Sequence, residues 1–209
     1  MEADIDKTQA QPLPLSQRLA QIIDEQGPDR LTFSELAAKL HARAWGGLLL
    51  IFAAINMLPL PPGTSIFFAI PLMIVSAQMV FGRASPWFPA RIDRRGVTKE
   101  ELGRLIARME WLEVRVERIF KPRLAGLTGA AATRLIGAVC FILALATTLP
   151  IVHIAPATVI VLFGLALIYR DGALVIAAVI AGFLGAALAT FLIDSGVVAL
   201  SHAAAWLHP

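Results

Sequence analysis

The sequence is short of charged residues and of cysteine. Asp, Glu, Lys and Arg make up 16% of its 209 residues, hydrophobic residues make up 57%, and mean hydropathy is +0.73. Soluble domains carry about 25% charged residues, so this composition predicts an integral membrane protein. The single cysteine, Cys140, excludes a disulfide framework and a cysteine-based metal site.

Sequence signatures of an active site are also missing. The apolar runs contain no paired carboxylates, and the chain has no His-x-x-x-His motif, no glycine-rich phosphate loop and no nucleophile elbow. The histidines are too scattered to indicate a metal site: His41, His153, His202 and His208. We therefore expect no enzymatic activity, no cofactor, no metal and no nucleic-acid partner.

Three long runs lack Asp, Glu, Lys and Arg, and they occupy residues 44–82, 135–169 and 172–193. Pro59 and Pro150, with the irregular stretches beside them, leave apolar pieces of roughly 13–17 residues in the first two runs, which is shorter than the ~20 residues that a membrane-crossing helix needs. The third run has the length of one transmembrane helix. The first two runs are therefore predicted to be hairpins of short or re-entrant helices.

Both hairpins follow one plan of glycine, apolar segment, Leu-Pro, irregular stretch, apolar segment and arginine. We predict an all-α integral membrane protein in which two proline-broken hairpins form an internal repeat, since interrupted apolar segments in matching positions are typical of membrane repeats. The residues predicted to form the two hairpin tips are Pro59, Pro61, Pro62 and Gly63 in the first and Pro150 and Pro156 in the second.

Basic residues predict the orientation of these elements. Twelve of the eighteen Lys and Arg residues lie from Arg83 to Arg134, and the positive-inside rule places this segment in the cytoplasm. No signal peptide opens the sequence, so the N-terminus is also expected there, with both tips directed away. The remaining predicted segments are a disordered arm at 1–14, cytoplasmic helices at 15–43, a cytoplasmic or interfacial linker at 83–134 with an amphipathic helix at 99–120, and a periplasmic or interfacial tail at 194–209.

Two capping boxes mark helix starts within the cytoplasmic segments. Thr32 with Glu35, and Thr98 with Glu101, have the Ser/Thr-x-x-Glu spacing that satisfies the first backbone amides of a helix. The helix that begins after Thr32 is expected to run through His41 straight into the first apolar run. The helix that begins after Thr98 has an apolar stripe that could face the membrane or the protein itself.

Polar residues at membrane depth are the candidate binding residues. The predicted substrate-binding set is Asn56, Ser65, Gln78, His153, Arg83, Arg170 and Asp171. In one interpretation the tip residues line a cavity where broken helices present free amides and carbonyls to a substrate or an ion. In the other they hydrogen-bond the backbone that the prolines free, which is the favoured interpretation for Thr147, Thr148 and Thr158. Arg170 and Asp171 could instead be a positive-inside anchor, followed by a helix break at Gly172.

The third run contains a ladder of small residues at Ala181, Gly185 and Ala189. Small residues at this spacing allow two helices to approach closely in a membrane. The contact could lie within one chain or between the two chains of a homodimer.

The order and spacing of several short motifs resemble the ExoD family of bacterial membrane proteins. These are "NMLPLPPGTS", "AQMVFGR" followed by "PWFP", "KPRL", "LP" followed by "AP", and "YRDG", over roughly residues 15–195. The resemblance implies a multi-pass inner-membrane protein of exopolysaccharide synthesis, with membrane lipids and polysaccharide-assembly proteins as partners. By motif it adds Trp87, Pro89, Pro122 and Arg123 to the residues of interest.

Two functions follow from the resemblance and the hairpins together. The protein could be a small carrier of a lipid, a lipid-linked saccharide or an ion, with its site between the tips. Alternatively, it could be an accessory subunit that stabilises a polysaccharide-assembly complex through its cytoplasmic helices.

Overall fold

The computed structural model describes residues 30–58, 64–98, 100–104, 124–148 and 153–207. The described residues do not include the predicted disordered arm, residues 15–29 of the predicted cytoplasmic helices or most of helix 99–120. They also do not include Pro122, Arg123 and the predicted tip residues Pro59, Pro61, Pro62, Gly63 and Pro150. The described helices are α1 (Phe33–Leu40), α2 (Ala42–Asn56), α3 (Thr64–Val80), α4 (Ala90–Asp93), α5 (Ala130–Ala146), α6 (Ile154–Tyr169) and α7 (Gly172–Leu207).

The all-α prediction is confirmed for the described residues, with one small addition. Strands β1 (Arg30–Leu31) and β2 (Val97–Thr98) form a two-residue antiparallel pair. A 3₁₀ turn at Ala125–Thr128 precedes α5, and residues 100–104 are helical. The apolar runs form α2 with α3, α5 with α6, and α7.

Both predicted capping boxes are present. The Thr32 hydroxyl accepts the amide of Glu35, whose carboxylate accepts the amide of Thr32, and these bonds hold the pKa of Glu35 below its ordinary value. Thr98 and Glu101 exchange the same two bonds at the start of the next helix. The backbone amide of Ser34 donates to Asp93, which ties the start of α1 to the linker.

The prediction of one continuous helix through His41 is wrong. The chain bends by 118° between α1 and α2, and His41 at the bend has a φ of 51°. Polar residues such as Glu35 and Lys39 belong to α1, whereas α2 is apolar, so the bend separates a helix for the aqueous side from a helix for the bundle. The helix propensities of the residues around His41 do not predict this break.

Four of the helices pack in a ring. Helix α2 packs on α3 and most extensively on α6, while α5 packs on α3 and on α6. Trp45, Leu49, Met79, Ile160 and Phe163 are among the buried residues that fill the interior of the ring. Helix α7 lies outside this ring against α6.

Both hairpins point the same way in the ring. Gly46, near the start of α2, lies beside Ile168, near the end of α6, and Gly82, after the end of α3, lies beside the Arg134 side chain, near the start of α5. The opposite ends of these helices therefore lie together. We call that end the tip end and the Gly46–Gly82 end the base.

The outer surface of the helices is apolar. Phe67 of α3, Ile142 of α5 and Phe183 of α7 are 73%, 68% and 74% exposed, which is unusual for large apolar side chains in water. In α7 the segment Gly172–Phe191 is long and apolar enough to cross a membrane. Helix α7 continues to Leu207 and does not end with the predicted span at Ile193, because residues 194–207 contain no proline and are rich in alanine.

Candidate functional site at the hairpin tips

Four helix termini meet at the tip end. Helices α2 and α5 end there at Asn56 and Ala146, and helices α3 and α6 begin there at Thr64 and Ile154. Each terminus leaves backbone groups without a partner inside its own helix, carbonyls at the two C-terminal ends and amides at the two N-terminal ends. The four described helix ends therefore form a place rich in backbone hydrogen-bonding groups.

Asn56 has an unsatisfied carboxamide. The residue is 1% exposed, and neither Oδ1 nor Nδ2 has a hydrogen-bond partner among the described residues. A buried polar group without a partner costs about 1–3 kcal/mol, and such groups are rare in folded proteins. Asn56 was predicted as a site residue, and this unpaired state distinguishes it from the other polar residues of the tip end.

The threonine hydroxyls at the tip end are hydrogen-bonded to backbone carbonyls of the preceding helical turn. The hydroxyls of Thr147, Thr148 and Thr158 donate to the carbonyls of Ala144, Leu145 and Ile154 at 2.7, 2.7 and 2.8 Å. These bonds to the preceding helical turn agree with the interpretation of the threonines as backbone partners.

Ser65 and His153 lie at the starts of α3 and α6. Ser65 is buried, with 8% of its surface exposed, and His153 is half-buried at the N-cap position of α6 without capping it through its side chain. Their placement at the tip end agrees with the predicted location. Substrate contact by either residue stays a prediction.

Sequence reasoning missed Ser76 in the middle of α3. Ser76 is fully buried, and its hydroxyl has no partner among the described residues. Its backbone carbonyl lies opposite Gly137 of α5, at 3.1 Å from the position of an added Cβ. A serine within an otherwise apolar segment was the signal available in the sequence.

Gln78 lies near the base, away from the tips. The backbone amide of Trp87 donates to Oε1 of Gln78 at 2.7 Å, and Nε2 of Gln78 donates to the carbonyl of Trp87 at 3.5 Å. The side chain thus fixes the linker that follows α3. This engagement favours a structural role for Gln78, and its role as a substrate ligand stays a prediction.

The predicted charged residues also lie at the base. Arg83 and Arg170 are exposed, whereas Asp171 is 4% exposed and accepts the amide of Ala173 at 2.9 Å, which caps the start of α7. The helix break falls on Arg170, with a φ of 53°, and Gly172 is already the first residue of α7. The structure thus separates the predicted set into tip residues and base residues.

The small-residue ladder of α7 faces the same chain. A Cβ on Gly185 would lie 3.8 Å from Cβ of Ala155, and one on Gly182 would lie 3.7 Å from Val159, both on α6. Of the two predicted alternatives, the structure favours the contact within one chain. A homodimer through this ladder stays a prediction.

The described residues contain no group of three His, Cys, Asp or Glu side chains placed to hold a metal ion. The polar groups that the tip end offers are a carboxamide, hydroxyls, an imidazole and backbone groups. These groups can bind a ligand by hydrogen bonds.

Comparison with known proteins places these features in a family. The model of the family "Exopolysaccharide synthesis, ExoD" matches residues 15–191. Protein ExoD of Rhizobium meliloti (strain 1021) is 28% identical over 172 residues, which cover 77% of this chain and 70% of that protein. No solved structure is significantly similar to the chain.

Proposed function

The chain belongs to the ExoD family of exopolysaccharide synthesis, and we propose that it is a small membrane carrier with a site between its two hairpin tips. Its cargo is a lipid, a lipid-linked saccharide or an ion. The observation that carries this proposal is the buried carboxamide of Asn56 at the tip end, which has no hydrogen-bond partner in the described part of the chain.

The proposed setting is the bacterial inner membrane, crossed or entered several times. The described helices α2, α3, α5 and α6 have 15, 17, 17 and 16 residues, which gives lengths of about 22–26 Å. The hydrocarbon core is about 30 Å thick, so each hairpin reaches across with its tip included or stops just short of the far side. Exposed apolar side chains around these helices support contact with lipid.

The two hairpins are proposed to be an internal repeat, in which a two-fold relationship places one hairpin opposite the other in the ring of helices. Counted back from Pro59 and Pro150, equivalent positions are buried in both hairpins. These pairs are Trp45 with Ile136, Leu49 with Cys140, Ala53 with Ala144, and Asn56 with Thr147. The second helices also end alike, because Gly82 after α3 and Arg170 after α6 both have a positive φ.

The base is proposed to face the cytoplasm. Arg43, Arg83, Arg134 and Arg170 flank the base ends of α2, α3, α5 and α6, which is the distribution that the positive-inside rule associates with the cytoplasmic side. This orientation keeps the N-terminus inside and directs both tips outward.

Complementation separates a carrier from an accessory subunit. In a strain that lacks this gene and makes no normal exopolysaccharide, the Asn56→Leu/Ser65→Ala variant and His153→Ala should reduce output while inserting at the level of the parent protein. Thr158→Val, which removes a hydroxyl bonded within α6, is the matched control. Normal output from both tip variants would overturn the carrier proposal, and loss of output on changing the apolar stripe of residues 99–120 would then favour the accessory subunit.

A further inference from the structure

The two hairpins carry different residues at one equivalent position of the tip end. Asn56 lies three residues before Pro59 in "NMLP", and Thr147 lies three residues before Pro150 in "TTLP". Both are fully or almost fully buried, but Thr147 donates to Ala144 whereas the Asn56 carboxamide has no partner among the described residues. Thr147 shows that this position can be occupied by a residue whose side-chain hydroxyl is hydrogen-bonded to the preceding helical turn.

We infer that the Asn56 carboxamide contacts the cargo directly and that the group it takes is neutral and hydroxylated, as a sugar is. This inference rests on the proposed carrier function and narrows its cargo to a saccharide-bearing molecule. A residue kept unpaired inside a bundle is a destabilising feature, and binding sites commonly retain such features.

The charges around Asn56 argue against an ion. No Asp, Glu, Lys or Arg lies in residues 44–82 or 135–169, so none of these side chains supplies a counter-charge inside the two hairpins. The helix dipoles add little net charge there, because two negative C-terminal ends and two positive N-terminal ends meet at the tip end. An ion without compensation is costly in such surroundings, whereas a neutral polar group is not.

The chemistry of the carboxamide fits a hydroxyl pair. Asn56 supplies one acceptor oxygen and two donor hydrogens, so it can bond two neighbouring sugar hydroxyls at once. Both of its polar atoms are out of contact with solvent in this conformation. The cargo therefore reaches Asn56 only after the tip end of α2 moves away from its neighbours.

The thermal stability of the purified protein tests the direct contact. Asn56→Leu keeps the number and branching of the side-chain heavy atoms and removes the unpaired polar group, so it should raise the melting temperature by roughly 2–8 °C. Thr147→Val is the matched control, because it removes a satisfied hydroxyl and should leave the melting temperature unchanged or lower it. A lower melting temperature for Asn56→Leu would show that the carboxamide is structural and would overturn the inference.

Soluble probes test the class of cargo. Hexyl-β-D-glucoside below its critical micelle concentration should shift the melting temperature of the parent protein in lipid nanodiscs saturably, should not shift that of Asn56→Leu, and should still shift that of Thr147→Val. Hexyl phosphate, and sodium chloride exchanged for choline chloride, should give no saturable shift.

Each other outcome has a defined meaning. No saturable response to hexyl-β-D-glucoside, or a response that persists in Asn56→Leu, overturns the inference. A response to hexyl phosphate or sodium in its place also overturns it but leaves the carrier proposal standing with a charged cargo. The carrier proposal fails separately, if both tip variants support normal exopolysaccharide output.

Discussion

Gly46 of α2 and Gly164 of α6 lie in direct backbone contact where the two hairpins meet. A Cβ on Gly46 would lie 2.5 Å from the carbonyl oxygen of Gly164, and a Cβ on Gly164 would lie 2.9 Å from the carbonyl oxygen of Gly46. Real side chains do not tolerate such distances to backbone atoms. The close approach of these helices therefore depends on the absence of side chains at both positions.

Gly46→Ala should destabilise the protein, because α2 and α6 must move apart to admit the methyl group. We expect a loss of about 1–3 kcal/mol, seen as a lower melting temperature in detergent. Gly47→Ala is the matched control, since no atom beyond the adjoining backbone of α2 lies within 4 Å of a Cβ there, and it should stabilise the helix by about 0.5–1 kcal/mol. Equal effects of the two substitutions on the melting temperature would mean that α2 and α6 lie farther apart at Gly46 than these distances indicate.

The corresponding contact between α3 and α5 gives a second prediction. A Cβ on Gly137, equivalent to Gly46 in the proposed repeat, would lie 2.6 Å from Cβ of Met79 and 3.1 Å from the carbonyl oxygen of Ser76. Gly137→Ala should therefore lower the melting temperature by an amount similar to that of Gly46→Ala. A variant as stable as the parent would argue against the two-fold relationship.

Gly185 provides a prediction about assembly. Its added Cβ would make an ordinary contact with Ala155 of α6, so Gly185→Ala should be tolerated, whereas Gly185→Leu should push α7 away from α6 and lower the melting temperature. Neither variant should change the oligomeric mass of the purified protein, measured by light scattering. A loss of oligomeric mass in Gly185→Leu would instead place the ladder between two chains.

The hairpins could be predicted from the sequence because proline and charge are strong local signals. Pro59 and Pro150 cannot continue a helix, and arginines at the ends of both runs set a common side for the base. The capping boxes at Thr32 and Thr98 could be predicted for a similar reason, because each of their hydrogen bonds joins residues that are only three positions apart.

The pairing of helices between hairpins could not be predicted, because apolar helices in lipid do not specify partners by hydrophobicity. The contact of Gly46 with Gly164 joins residues far apart in the chain, and single glycines in apolar runs do not identify their partners. The hydrogen bonds between Gln78 and Trp87 also depend on packing. So does the lack of a partner for the Asn56 carboxamide among the described residues. The bend at His41 was missed because the residues around it are compatible with a helix.

Orientation in the membrane is tested by cysteine labelling in intact cells. Ser85 lies in the linker after α3 at the base, and Ser201 lies in the last part of α7. A membrane-impermeant thiol reagent should label Ser201→Cys but not Ser85→Cys, with little background from Cys140, which is fully buried. Labelling of Ser85→Cys alone would reverse the proposed topology.

The most direct test of a site at the tips compares Asn56→Thr with Thr147→Ser in a strain that lacks the gene. Asn56→Thr copies Thr147, which occupies the equivalent position directly after α5, so it preserves the architecture and removes only the carboxamide. Thr147→Ser keeps a hydroxyl that can donate to the preceding helical turn. With both proteins at the membrane level of the parent, we predict that Asn56→Thr loses exopolysaccharide output and that Thr147→Ser retains it. Normal output from Asn56→Thr would contradict the account.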